Sequence, residues 1–214
     1  MAVFSWVDGK SLQALTKCKN EGKVVYVEVC NEFGETGLIE GRIATNPVRR
    51  ILNDFTLEVD YGKQGTHRLN IKLDRENIEH GTSLVALRVV DKETKKVIYN
   101  NPNREIWTHP ELYDGNKIRH LEKIAKVKES PLGAKLLKNI GQFVEIKDEE
   151  NDFHSVKGVI KSIYIVGEEQ VLHAKIVLGS DAMAYRRLNG DEELTITQSK
   201  AEFKKNEKTE EETF

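Results

Sequence analysis

The sequence predicts a mainly β protein made of two similar small units in tandem, each a short helix followed by five short strands. The first observation behind this is an internal repeat. Residues 11–25 can be laid on residues 130–144, 119 positions on. Gly37-Leu38-Ile39-Glu40 falls on Gly158-Val159-Ile160-Lys161 at 121, residues 54–62 on 171–179 at 117, and Arg68-Leu69-Asn70 on Arg187-Leu188-Asn189 at 119. Offsets that drift by two and return are what small loop insertions produce, and a repeat of this length sets the architecture before any one residue is interpreted. The second observation is strand-like alternation of apolar and polar residues, clearest in Phe55, Leu57, Val59 and Tyr61. The third is composition. A 38% hydrophobic and 32% charged chain of 214 residues is soluble and globular, with room for two units of roughly 70–90 residues plus a connector.

Each element follows in order. Asp8 or Ser11 caps a helix through Lys19, and Gly22 ends it. Residues 24–29 are β-branched and aromatic, hence a strand. A turn at 31–36 leads to a second strand from Gly37 to Thr45, a loop at 47–50 and a third strand over 55–61. Gly62-Lys63-Gln64-Gly65 turns the chain into a fourth strand. Residues 83–90 close the unit, with a hairpin tip at 92–95 before Val97-Ile98-Tyr99. Residues 100–110 read as irregular, and Asp114 to Glu129 as an amphipathic helix. Ser130-Pro131 starts another helix, with Pro at its permitted first position. Strands at 143–147, 156–166, 170–178, 183–187 and 193–198 repeat the first unit, and Asn189-Gly190 is a hairpin-turn signal. The division expected is a first barrel at 8–100, a connector at 101–129, a second barrel at 130–198 and a disordered charged tail at 199–214.

This element order resembles the Sm-like fold, a relative of the SH3-like small barrels. The resemblance covers both halves and rests on order more than on motif. The family's Arg-Gly pair before the last strand corresponds to Arg187-Leu188-Asn189-Gly190-Asp191, in which Arg and Gly are separated. It implies tandem five-stranded barrels that bind RNA or another protein through their loops. It also implies edge strands able to pair with a second copy, so a homo-oligomer is one expected assembly.

Lys+Arg 33 against Asp+Glu 35 gives a net charge of −2, so no global field draws the chain to nucleic acid or an anionic membrane. The cysteines, Cys18 and Cys30, fit no metal spacing and point to a reducing compartment. The first seven residues are too short for a signal peptide, and no apolar run reaches the length of a membrane span. The expectation is a cytoplasmic protein without membrane contact. The six histidines show no metal spacing, and no phosphate loop, dinucleotide fingerprint or nucleophile elbow is present. No metal, cofactor or catalytic residue is assigned, and the chain is expected not to be an enzyme.

The expected function is recognition of nucleic acid or a nucleotide-like anion through barrel loops or the cleft between barrels. Arginine offers a planar fork for phosphate, and asparagine can read a base edge. The candidates are Arg68, Asn70, Arg187 and Asn189, supported by Arg49 and Arg50. The competing reading of these residues is an Arg on a wet strand face and an Asn in a turn. Among aromatics that can stack bases, Tyr26, Phe33, Tyr61, Phe153, Tyr164 and Tyr185, most fall on core-like strand positions. The alternative function is a protein-binding adaptor or inhibitor acting on a larger machine through apolar anchors: Phe33, Trp107, Phe153 and the terminal Phe214 of the acidic tail. Trp107 is either such an anchor or a clamp between the barrels. A hydrolase or transferase is the minority alternative.

Overall fold

Asp8 opens the first helix by accepting from the Ser11 backbone N–H at 2.9 Å, and α1 runs from Gly9 to Asn20. Leu15 and Cys18 are its buried residues, and Gly22, at φ 62°, turns the chain into the first strand. The computed structural model describes residues 7–46, 54–73, 81–109, 126–147, 155–179, 181–190 and 192–199. Arg49, Arg50, Phe153, Phe214, residues 200–214 and most of the anticipated connector helix lie outside them. Residues 126–129 are helical, where that helix was expected to end.

Six strands make the first sheet: β1 (Val24–Cys30), β2 (Thr36–Ile43), β3 (Asp54–Asp60), β4 (Thr66–Lys72), β5 (Leu84–Asp91) and β6 (Val97–Asn100). They pair in sequence order, and β5 also pairs with β1, so β1–β5 close into a barrel with β6 added outside. The closing β4–β5 ladder is parallel and short, Ile71 opposite Leu84 and Lys72 opposite Val85. In β3, alternate residues Phe55, Leu57 and Val59 point into the core, as one-sided burial requires. Gly41 lets β2 bend onto β3, because a Cβ there would lie 2.5 Å from the Glu58 carbonyl oxygen.

After β6 comes a short helix, α2 (Arg104–Thr108), where irregular chain was expected. Trp107 packs on Cys30, Val85 and Leu87 outside the barrel, and Arg104 holds Glu28 of β1 with two bonds of 2.5 and 2.8 Å. Trp107 therefore clamps the connector to the first barrel.

Ser130 caps α3 (Pro131–Leu137), accepting from the Gly133 N–H at 3.3 Å. The second sheet contains β7 (Phe143–Lys147), β8 (Val156–Val166), β9 (Val171–Val177), β10 (Met183–Leu188) and β11 (Glu193–Thr197). Its order is β10-β9-β8-β7-β11, all antiparallel, with β10 and β11 as edges. Counted within each unit, both sheets run fourth, third, second, first, fifth. One glycine match changes: Val25 faces Gly41 and Val144 faces Gly158, so Gly158 corresponds to Gly41 rather than Gly37. A Cβ on Gly158 would lie 2.3 Å from the Val177 carbonyl oxygen, the same constraint.

The two sheets share one continuous apolar core. Gly37 lies against Ile140, where a Cβ would come 2.0 Å from the carbonyl oxygen. Phe143 enters beside Tyr61 and His67 of the first barrel, with ring centroids at 5.8 and 4.8 Å. Tyr61 donates its hydroxyl to the Gly141 carbonyl at 2.6 Å, and Gln142 donates its side-chain amide to the Leu38 carbonyl at 2.9 Å. Ser199, expected to begin the tail, is instead fully buried at this seam. It donates its N–H to Gln142 at 2.7 Å and accepts the Glu40 N–H at 3.3 Å.

Candidate functional site

The outer face of β8, β9 and β10 gathers residues from three strands by register. Ser162, Lys175 and Tyr185 form one row, Tyr164, His173 and Arg187 the next, and Val166 faces Val171 beyond them. Side chains two apart on a strand share a face, which is why this set points outward while Leu172, Ala174 and Ile176 turn to the other side. The β8–β9 register shifts between Ile160 and Ser162, leaving Lys161 as the extra residue of a bulge.

Glu32 from the β1–β2 turn enters at that bulge. It accepts from the Ser162 hydroxyl at 3.0 Å and from Lys175 at 2.6 Å, and Lys161 lies 3.7 Å from its other oxygen. Asn31 beside it donates to the Lys161 carbonyl at 3.2 Å. Lys161 is fully buried and also donates to the Gly81 carbonyl. Burial pushes its ammonium below the usual lysine value, against the attraction of Glu32. The Lys175 ammonium lies 5.3 Å from the Tyr164 ring centroid and 6.0 Å from that of Phe33. Burial, then Arg187, depresses the His173 imidazole, which favours its neutral form.

At the end of these strands a cleft of about 380 Å³ is lined by Lys126, Ser130, Gln170, Arg187, Asn189 and Gly190, with Glu129 as the carboxylate among its lining residues. The size is that of a small-ligand pocket. Two of the anticipated anion ligands, Arg187 and Asn189, therefore meet here. Arg187 is exposed and has no carboxylate partner among the described residues. The amides of Asn189 and Gly190 are taken by Glu192, at 2.6 and 2.9 Å, so this turn offers a ligand the Asn189 side chain rather than its N–H groups.

Arg68 and Asn70 lie elsewhere, on β4 of the first barrel. Arg68 is held by Glu58 at 2.7 and 3.0 Å. The repeated Arg-Leu-Asn is also out of step. Gly41 and Gly158 pair alike, so Arg42 corresponds to Val159 and, across the next ladder, Glu58 to Val177. Arg68, opposite Glu58, therefore corresponds to Met183, opposite Val177, and not to Arg187. Phe33 is half-buried against the shared core, 6.5 Å from Tyr164. Sequence reading missed Lys126, Ser130, Gln170, His173 and Lys175. The alternation of β9 carried a signal for the last two, since His173 and Lys175 share the wet face of an otherwise apolar strand.

Among the described residues, no cluster of three His, Cys, Asp or Glu side chains is placed to hold a metal ion, and no helix is long and apolar enough to cross a membrane. Both cysteines are buried, and neither forms a disulfide. Comparison with known protein families, with curated proteins and with solved structures finds no match to this chain.

Proposed function

We propose that the chain is a non-catalytic binding protein of two Sm/SH3-like barrels fused through one core, and that it takes a phosphate-bearing ligand, a nucleotide or nucleic acid, at the cleft of the second unit. One observation carries the reading: an exposed Arg187, without a carboxylate partner among the described residues, in a cleft that also holds Lys126, Ser130, Gln170 and Asn189. A guanidinium without a carboxylate can meet phosphate with two parallel bonds, and Lys126 adds a second cation to the lining. The shared strand order of the sheets supports the tandem-barrel part of the proposal. The packing of Phe33 and Trp107 within the chain weighs against the adaptor reading, which needs them as exposed anchors.

The test is calorimetric titration of the intact chain with ADP and with pyrophosphate. Both bind, and Arg187→Gln weakens each by about 10–100-fold, the loss of a charge-assisted bond. Arg68→Gln leaves both unchanged, because Arg68 is already engaged by Glu58. Equal effects of the two substitutions, or no binding of either ligand, would overturn the assignment.

A further inference from the structure

The chemistry of the β8–β10 face goes beyond a phosphate pocket. Tyr185 is 57% exposed, the most exposed of the large apolar side chains among the described residues. It stands at the centre of the edge strand β10, two residues from Arg187 and on the same face. The Tyr164 and His173 rings adjoin it on the next strands, 5.8 Å apart and tilted by 32°. Val166, also exposed, continues the apolar row at the strand end. Lys175 stands opposite Tyr185 on the same face, where Glu32 accepts from it at 2.6 Å.

We infer that this face is a stacking platform for single-stranded nucleic acid, with Tyr185 stacking a base and Arg187 holding the adjoining phosphate at the mouth of the cleft. The inference rests on the proposed anion site at Arg187 and adds the substrate class. Flat rings interleaved with cations suit unpaired bases, whose faces are free to stack whatever their sequence. A duplex hides those faces, and reading its major groove calls for a helix or a two-stranded ribbon inserted between the backbones. Among the described residues the exposed part of this face, Tyr185 and Arg187, lies on an edge strand with no helix projecting from it, and the β1–β2 turn covers the row at Ser162. An apolar protein partner would use Val166 and Tyr185 but not the exposed Arg187 on the same face.

The test uses the full chain and fluorescence anisotropy with labelled oligo(dT) and oligo(rU) of about twelve nucleotides, alongside a duplex of equal length. Both single strands are expected to bind more tightly than the duplex. Tyr185→Ala weakens single-strand binding by about 5–100-fold, the range that loss of one stacked base produces. Tyr185→Phe stays within about twofold, because the ring and not the hydroxyl stacks. Pyrophosphate binding is unchanged in Tyr185→Ala. Tyr185 is exposed, so its replacement does not endanger the fold. Preference for oligo(rU) over oligo(dT) would identify RNA as the natural strand, and equal binding would mean that the face reads bases without the 2′-hydroxyl; either supports the inference. Oligonucleotide binding that is indifferent to Tyr185→Ala yet lost in Arg187→Gln would overturn the platform and leave the anion site standing. So would binding of pyrophosphate without binding of either oligonucleotide. If none of the probes binds, both ideas fall.

Discussion

Replacing Glu32 by Ala destabilises the chain by about 3–5 kcal/mol, the usual cost of removing one member of a buried ion cluster. Glu32 is where the first barrel's turn enters the second sheet, and its carboxylate serves Ser162 and Lys175 directly and faces Lys161. Without it Lys161 remains fully buried but loses the carboxylate that faces it at 3.7 Å. The cost comes from that buried ammonium more than from lost hydrogen bonds. Lys161→Met in the Glu32→Ala background should therefore recover much of the loss, so the two substitutions are far from additive in urea unfolding. The sign of the pH dependence follows from the same charge. Burial sets the folded pKa of Lys161 below its unfolded value of 10.5, so the folded state binds fewer protons between those values. The penalty is fully present below the folded pKa and is relieved as pH rises through it. Glu32→Ala is thus closer to the parent at about pH 10 than at pH 7. Additive losses with no alkaline recovery would show that the cluster is not a charged seam.

Phe143→Ala is expected to cost a similar amount, about 3–5 kcal/mol. Phe143 belongs to β7 by sequence but fills space beside Tyr61 and His67 of the first barrel. Its removal opens a cavity at the seam, where the backbone is already in tight contact. Gly37 meets Ile140 with no room for a Cβ, and Tyr61 is bonded to Gly141, so neither unit can slide in to refill the void without breaking those contacts. Urea unfolding followed by circular dichroism measures the loss. A cost below about 1 kcal/mol would mean that the ring contributes little to joining the units.

Much of the local structure was legible because each element's signal is local. The alternation of Phe55, Leu57, Val59 and Tyr61 marks a strand with one buried face, and β3 has that pattern. Asp8 and Ser130 cap their helices as their side chains allow. The seam was not legible. Asn31-Glu32-Phe33-Gly34 has the composition of a solvated turn, yet Asn31 and Glu32 are buried because a second sheet covers them. Only the position of Lys161-Ser162 within the apolar run from Val159 to Ile163 hinted at a partner inside. Nor does local pattern reveal the parallel contact that closes β4 on β5, since that pairing spans a long connection.

The candidate site was half legible. Arg187 and Asn189 were singled out, but through a match to Arg68 and Asn70 that the strand register does not support. What separates Arg187 from Arg68 is a neighbour: Glu58 faces Arg68 across the ladder, whereas His173 faces Arg187. Cross-strand partners depend on register, and a repeat aligned by residue identity can be an even number of positions out without changing which face a side chain occupies. Lys126 and Ser130 reach the cleft from the segment between the sheets, which no strand pattern foretells.

Binding of a polyanion at Arg187 is tested by the salt dependence of oligonucleotide affinity. For the parent chain, log K against log salt should fall along a straight line, and Arg187→Gln should flatten the slope by about 0.7 to 1, one phosphate contact, while Arg68→Gln keeps the parent slope. An affinity indifferent to salt, or a slope that Arg187→Gln leaves unaltered, would contradict it.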